Sequence, residues 1–151
     1  MRILVVENDP MTRDAAEAML DELGFSVVCV DTVSQATTRL HEHFTHLLCD
    51  LCLSDGDGVE VIRYAKRMNA NIRIVAFTGS IPSSLHGRTY AAGADIVLMK
   101  PVGLPQLLSA LLPIQARTSS LENTFKRTLA AVEKLAAPLA AHIEAPCLGV
   151  A

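Results

Sequence analysis

Five short runs rich in Val, Ile and Leu recur at fairly even spacing, and they constrain the fold more than any other feature of the chain. None of the five alternates cleanly between apolar and polar residues, which is the pattern of parallel strands buried on both faces. They predict five strands of one parallel sheet, at Ile3–Val6, Phe25–Val30, His46–Leu51, Ile72–Thr78 and Asp95–Met99.

Segments with helical spacing lie between these strands. The predicted inward positions are Ala15, Met19, Leu20 and Leu23 in the first helix, Ala36 and Leu40 in the second, Val59, Ile62 and Ala65 in the third, and Leu107, Leu108 and Leu111 in the fifth. The predicted boundaries are Gly24 ending the first helix, Ser34 capping the second, Gly58 opening the third, Ser83 or Ser84 capping a fourth that ends near Gly93, and Pro105 in the first turn of the fifth. The alternation predicts an α/β fold, a (βα)5 doubly wound parallel five-stranded sheet.

Composition narrows the classes of function. A formal net charge of −3 and a pI near 5.9 argue against direct binding of nucleic acid, which needs a concentrated basic surface. No segment approaches the roughly 20 apolar residues that span a bilayer, and no signal peptide is evident, so we expect a cytoplasmic protein with no membrane partner. Three of the four cysteines, Cys29, Cys49 and Cys52, lie in strand-like runs and are interpreted as small hydrophobes rather than a disulfide framework.

Polar side chains follow the ends of four predicted strands. In doubly wound sheets the binding site lies at the carboxyl ends of the strands, so we expect these residues to converge: Glu7, Asn8 and Asp9, then Asp50, then Thr78, then Lys100. Carboxylate and amide oxygens suit Mg²⁺, while a hydroxyl and an ammonium can bind phosphoryl oxygens. The pattern predicts a phosphoryl-transfer site with Asp50 as the acceptor.

Four motifs carry a resemblance to a known family. The segments ILVVENDP, LLCDLCLSDGDG, VAFTGS and AGADIVLMKP occur in order, each at a strand end, and over roughly residues 1–112 the chain resembles the receiver domain of bacterial response regulators. The resemblance implies that Asp50 is the phosphoacceptor, Thr78 the switch hydroxyl and Lys100, followed by Pro101, the invariant lysine. It also matches Gly58 and implies that the main-chain carbonyl of Cys52 is a metal ligand.

The same resemblance implies a function in two-component signalling. The chain would accept a phosphoryl group from a histidine kinase or a histidine phosphotransfer protein, with Mg²⁺ as cofactor. Slow hydrolysis of the aspartyl phosphate would follow, so the chain is a self-catalysed phosphoacceptor rather than a turnover enzyme. It would then act on a downstream protein target through a surface that includes Tyr90, Val97 and residues 104–111.

Two positions depart from the family pattern. Asn8 stands where the family usually has a second acidic residue, so either Asn8 binds the metal through its amide oxygen or Asp9 reaches in from the next position. Val97 replaces the usual switch aromatic. Both departures favour an alternative, a pseudo-receiver that serves as an interaction module without phosphate. A hydrolase that uses Asp50 as nucleophile ranks last, because Cys52 stands where its second carboxylate would be.

The sequence predicts a receiver domain over residues 1–114, a linker over 115–120 and a helical tail over 121–151. The tail carries an apolar stripe that Pro138 interrupts, at Leu121, Phe125, Leu129, Val132, Leu135 and Leu139. We expect this stripe to pack against its own domain, a second copy in a homodimer, or a partner. Because 39 residues follow Leu112, we expect no DNA-binding or enzymatic output domain there, and we expect the chain to act through protein contacts.

Overall fold

All five predicted strands are present, each within one residue of its predicted bounds at either end. The computed structural model describes residues 1–79 and 83–112. In these ranges the strands are β1 Arg2–Val6, β2 Ser26–Val30, β3 His46–Asp50, β4 Cys52–Leu53, β5 Gly56–Asp57, β6 Arg73–Thr78 and β7 Ile96–Met99. The helices are α1 Pro10–Glu22, α2 Val33–Arg39, α3 Gly58–Met68, α4 Ser83–Ala92 and α5 Leu104–Leu111.

The main sheet is parallel throughout and has the strand order β2-β1-β3-β6-β7. The chain moves outward from β1 to β2 and then crosses back to β3 on the other side of β1, so the order reverses between β1 and β3. The predicted doubly wound α/β class is therefore confirmed, and the carboxyl ends of β1 and β3 flank the switch point where such sheets bind ligands.

Each face of the sheet has its own hydrophobic core. Along β1, Leu4 and Val6 pack under α2, α3 and α4, while Ile3 and Val5 pack under α1 and α5. The same division holds in β3 and β6, where neighbouring residues enter opposite cores. Burial on both faces explains why the sequence shows continuous apolar runs rather than alternation.

The predicted end of α1 is confirmed. Gly24 has φ +79°, and the N–H groups of Gly24 and Phe25 donate to the carbonyls of Asp21 and Leu20, which satisfies the last turn of the helix. One predicted inward position in α1 is wrong, because Ala15 is exposed and Ala16 takes its place in the core beside Leu20.

The predicted cap of α2 is also wrong. Thr32, in an extended conformation, is the N-cap, and its hydroxyl accepts a hydrogen bond from the Gln35 N–H. Ser34 lies within the first turn, and its own N–H donates to Asp55. Thr32 and Ser34 lie two positions apart, and both are residue types that commonly cap helices. The local sequence therefore does not determine which of them is the N-cap of α2.

The short antiparallel hairpin of β4 and β5 has no counterpart in the sequence prediction. It joins Asp50 to the start of α3 and pairs Cys52 with Asp57 and Leu53 with Gly56. Strands of two residues are too short to produce a hydrophobic period, so only the tertiary structure reveals them.

Met1–Leu112 form one compact unit. The predicted linker over 115–120 and helical tail over 121–151 lie outside the described residues. Within the described ranges, no helix is long and apolar enough to cross a membrane.

Candidate functional site

Three charged side chains from distant parts of the sequence meet at the carboxyl edge of the sheet. Glu7 follows β1 and Asp50 ends β3, and both are buried, with 0% and 4% of their surfaces exposed. The Lys100 Nζ atom, beyond β7, donates to Glu7 Oε2 and to Asp50 Oδ2, each at 2.6 Å. The structure thus brings together Glu7, Asp50 and Lys100, three of the residues predicted to converge.

The backbone around Lys100 fixes the position of its ammonium group. The Lys100 N–H donates to the Thr78 carbonyl at 2.9 Å, which ties the segment after β7 to the end of β6. The ammonium also lies 4.6 Å from the centre of the Phe77 ring. Burial opposes its charge, but the hydrogen bonds to Asp50 and Glu7 outweigh burial and raise the pKa of Lys100 above its usual value.

The Asp50 carboxylate is oriented from two sides. Its Oδ2 atom faces Lys100, and its Oδ1 atom accepts a hydrogen bond of 3.1 Å from the main-chain N–H of Cys52. Thr78 is fully buried at the end of β6, and its hydroxyl lies 3.9 Å from the exposed thiol of Cys52. Asp50, Cys52 and Thr78 therefore lie on the same side of the site.

The two polar residues after Glu7 are placed differently from one another. Asn8 is exposed at the mouth of the site. Asp9 is the N-cap of α1, and its Oδ2 atom accepts from the Thr12 N–H at 2.8 Å and from the Thr12 hydroxyl at 2.6 Å. Both bonds lower the pKa of Asp9, and the bond from the Thr12 hydroxyl has the larger effect. Its main-chain N–H donates to Glu7 Oε1, so Asp9 also helps to orient Glu7.

The site carries an excess of negative charge. Two buried carboxylates face a single ammonium, which leaves about one uncompensated negative charge in a place with little water. In the described parts of the chain, no three His, Cys, Asp or Glu side chains are grouped to hold a metal ion. The oxygen donors of this edge are the Glu7 and Asp50 carboxylates, and the next residues along the chain add the Asn8 amide and the Cys52 carbonyl; carboxylate and carbonyl oxygens suit Mg²⁺ with several retained waters.

Sequence reasoning missed three residues that shape the site. The Phe77 ring lies against Lys100, the Arg13 guanidinium donates to the Glu7 main-chain oxygen at 3.2 Å, and Asp55 binds the start of α2. Phe77 could have been found from its place immediately before Thr78. Arg13 and Asp55 form hydrogen bonds with main-chain atoms, and such contacts leave no pattern in the spacing of residues along the sequence.

An apolar groove opens beside the site. It has a volume of about 560 Å³ and lies between α1 and α5, with Lys100 among its lining residues. Met11 at its rim is 81% exposed, which is unusual for a large apolar side chain. The remaining lining includes Ala15, Met19, Phe77, Val102 and Leu107.

Comparisons with known proteins agree on one family. The family model described as the response regulator receiver domain matches residues 3–112. A CheY-like receiver domain from Methanospirillum hungatei is 27% identical, covers 83% of this chain and 97% of its own, and superposes with a TM-score of 0.71. The receiver domain of the sensor histidine kinase PA1611 from Pseudomonas aeruginosa, solved with magnesium in its active-site cleft, is 27% identical with a TM-score of 0.66, covering 73% of this chain and 93% of its own.

The similarity to longer proteins is partial. The cell cycle transcriptional regulator CtrA of Caulobacter vibrioides is 28% identical over 120 residues, which cover 78% of this chain and 52% of CtrA. The chain thus spans about half the length of the curated relatives that it matches.

Proposed function

Because the chain belongs to the response regulator receiver family, we propose that Asp50 accepts a phosphoryl group from a histidine kinase or a histidine phosphotransfer protein. The observation that carries the proposal is the buried cluster in which Lys100 bridges Asp50 and Glu7 at 2.6 Å each. Phosphoryl transfer needs a positioned nucleophile and compensation of charge more than acid–base groups, and this cluster supplies both.

The donor set of the site fits Mg²⁺. Glu7 and Asp50 leave one negative charge beyond what Lys100 compensates, and we propose that they hold the ion with Asn8, Asp9 and the Cys52 main-chain carbonyl. Bound there, Mg²⁺ would offset the charge that accumulates between the carboxylate and the phosphoryl oxygens. Asn8 can contribute a neutral oxygen at the exposed mouth, while Asp9 can contribute only if it gives up a bond to Thr12.

Asp50, Lys100 and Thr78 have different roles in the proposed phosphoryl transfer. One oxygen of Asp50 attacks phosphorus as the P–N bond to the donor histidine breaks, and the electron pair of that bond remains on the imidazole nitrogen. The Lys100 ammonium holds Asp50 in place before transfer and then pairs with a phosphoryl oxygen. The Thr78 hydroxyl donates to another phosphoryl oxygen, which draws the end of β6 toward the new charge. Later hydrolysis of the acyl phosphate is slow, so the domain acts as a signalling module rather than a turnover enzyme.

The groove between α1 and α5 supports a protein as the phosphoryl donor. It is apolar, opens beside Lys100 and has the exposed Met11 at its rim, which suits a helical surface of a donor protein better than a small polar substrate. We place the output on α4, β7 and α5, at Tyr90, Val97 and Leu104–Leu111, where a downstream protein or a second copy would bind. The unpaired cysteines Cys29, Cys49 and Cys52 fit the reducing cytoplasm in which we place the reaction.

An alternative function is a pseudo-receiver, an interaction module that never carries phosphate. It is favoured by Asn8, which removes a charge from the mouth of the site, and by Val97, which replaces the family's switch aromatic. Against it stands the Glu7–Lys100–Asp50 cluster, since a module without phosphate chemistry has no need to bury these charges together.

Mass spectrometry of the intact protein separates these functions. The full chain is incubated with acetyl phosphate, with and without Mg²⁺, beside the isosteric variant Asp50→Asn. One phosphoryl adduct that requires both Mg²⁺ and Asp50 is the expected result. A folded protein that gains no adduct, while a known receiver in the same buffer is phosphorylated, would favour the pseudo-receiver.

A further inference from the structure

The β4–β5 hairpin is held beside Asp50 at its start and, through the first residue of α3, at its end. At its start, the Cys52 N–H donates to Asp50 Oδ1 at 3.1 Å. At its end, the Gly58 N–H donates to the Leu51 carbonyl, and a Cβ atom on Gly58 would lie only 2.0 Å from the Asp50 carbonyl oxygen. A shift of the hairpin would therefore move the Cys52 main chain that donates to Asp50.

The tip of this hairpin is fastened to a different part of the fold. Asp55 Oδ1 accepts from the Val33 N–H at 2.7 Å, and Asp55 Oδ2 accepts from the Ser34 N–H at 3.1 Å. These are the first two N–H groups of α2, which have no partner within the helix. Gly56 adds a packing contact, because a Cβ atom there would lie 3.2 Å from the Val33 side chain.

The contact joins two carboxylate oxygens to two main-chain donors at a helix start, where the helix dipole also favours a negative charge. The bond from Val33 is the largest cause of a lowered pKa at Asp55, with the bond from Ser34 acting in the same direction, so the carboxylate is charged at neutral pH. Because α2 follows directly from β2, the tip is tied to the sheet through a second element. Leu53 anchors one strand of the hairpin in the core, and Asp55 anchors its turn.

We propose that Asp55 is a positioning residue for phosphoryl transfer, which holds the hairpin so that the Cys52 main chain stays aligned with Asp50. The inference rests on the proposed function, in which the Cys52 N–H orients the nucleophile and the Cys52 carbonyl would help to hold Mg²⁺. Asp55 itself touches neither the phosphoryl group nor Asp50. Its effect passes through the hairpin, as with other residues that support a metal site from behind.

Two variants of Asp55 and one control distinguish the positioning of Cys52 from a general stabilisation of α2. Asp55→Ala removes both bonds to the helix start, and Asp55→Asn keeps one acceptor oxygen without the charge. Thr32→Ala is the matched control, because Thr32 caps the same helix through the Gln35 N–H and makes no hydrogen bond to the hairpin. Circular dichroism establishes that each full-length variant is folded.

Two readouts are measured on each protein. The first is the initial rate of phosphorylation by acetyl phosphate. The second is Mg²⁺ affinity without any phosphoryl donor, from a titration followed by the amide NMR signal of Cys52. We expect Asp55→Ala to lose about tenfold in both, Asp55→Asn to lose less, and Thr32→Ala to stay close to the wild type.

The outcomes distinguish this inference from the proposed function. Asp55→Ala with wild-type rate and Mg²⁺ affinity would overturn the positioning role, and so would Thr32→Ala with losses equal to those of Asp55→Ala. A wild-type protein that accepts no phosphoryl group would overturn the proposed function instead. In that case the Mg²⁺ titration still tests whether Asp55 aligns the Cys52 main chain.

Discussion

At the scale of single residues, charge placement dominates this molecule. Glu7 and Asp50 are like charges buried at one edge of the sheet, and each alone would be costly to keep there. Lys100 makes the arrangement possible by donating to both. Since its pKa is raised in the folded state, the stabilisation it gives is fully present below the ordinary lysine pKa and is lost only as pH rises above it.

His46 is a second buried titratable residue, at the opposite end of β3. Its Nε2 atom lies 3.2 Å from the Leu111 carbonyl and its Nδ1 atom 2.8 Å from the Thr45 hydroxyl, and its ring packs edge-on against Phe25. Burial lowers its pKa below the usual 6.5, with repulsion from the N-terminus and Arg73 in the same direction and the Leu111 bond opposing. The unfolded chain therefore binds a proton at His46 more readily than the folded chain does.

We predict that His46 makes the protein less stable in mild acid. The free energy of unfolding should fall as pH drops below about 6.5, by at most about 1.4 kcal/mol per pH unit from this residue, until the folded-state pKa is passed. His46→Gln should flatten that dependence, as measured by urea unfolding between pH 7.5 and 5. His43→Gln, at an exposed position, serves as the control. Equal slopes in all three proteins would contradict the prediction.

At the scale of elements, the hairpin and the first residue of α3 lie directly against Asp50. Gly58 opens α3 with its Cα against the Asp50 carbonyl, while Asp57 caps the helix through the Val59 N–H. Asp57 also binds Arg88 of α4 at 3.0 Å. The Arg88 side chain is 59% exposed and the Asp57 side chain 36%, so solvent screens the pair and its contribution to stability is small. It is nevertheless a direct contact between the site hairpin and α4.

Two glycines should respond in opposite ways to the same substitution. Gly58→Ala places a methyl group 2.0 Å from the Asp50 backbone oxygen, and moving backbone apart is costly, so we predict a loss of about 2 kcal/mol or more in unfolding free energy and slower phosphorylation. Gly87→Ala, in the exposed middle of α4 with nothing within 4 Å, should gain about 0.5–1 kcal/mol. Urea unfolding of both variants tests this. A neutral Gly58→Ala would mean that the hairpin can retreat from Asp50.

At the scale of the whole molecule, the sheet separates two cores that share no residue. Leu4, Leu47 and Ile74 lie in one core, and Ile3, Leu48 and Val75 in the other. The last described helix, α5, closes the second core with Leu107, Ala110 and Leu111. Two side chains of the sheet also contact carbonyl groups at the end of α5. Arg73 donates to the Ala110 carbonyl, and the His46 ring lies beside the Leu111 carbonyl.

We predict that a chain truncated after Leu112 still folds and is phosphorylated. The described residues of both cores and every residue of the proposed site lie before that point, and Met1–Leu112 form one compact unit. The truncated protein should unfold in a single cooperative transition and take up a phosphoryl group from acetyl phosphate at the rate of the full chain. Unfolding or aggregation on truncation would show instead that residues after 112 cover apolar surface of this unit.

The sequence by itself determined the five strands of the main sheet, their parallel arrangement and the residues that follow them at one edge. Continuous apolar runs that alternate with helical segments indicate parallel strands buried on both faces. In a doubly wound sheet the residues that follow the strands meet at one edge. Thus Glu7, Asp50, Thr78 and Lys100 could be placed at one edge from their positions in the chain alone. The roles assigned to them remain predictions until Asp50 is shown to accept phosphate.

Only the tertiary structure decided the details that depend on main-chain contacts. Thr32 rather than Ser34 caps α2, Asp9 caps α1, and Asp55 reaches across to the start of α2. Each of these side chains is polar, small and compatible with several local bonds, so the choice is made by which N–H groups the fold leaves without partners. Hydrophobic periodicity carries no information about such bonds, because it reports which residues are buried and not which donors are free.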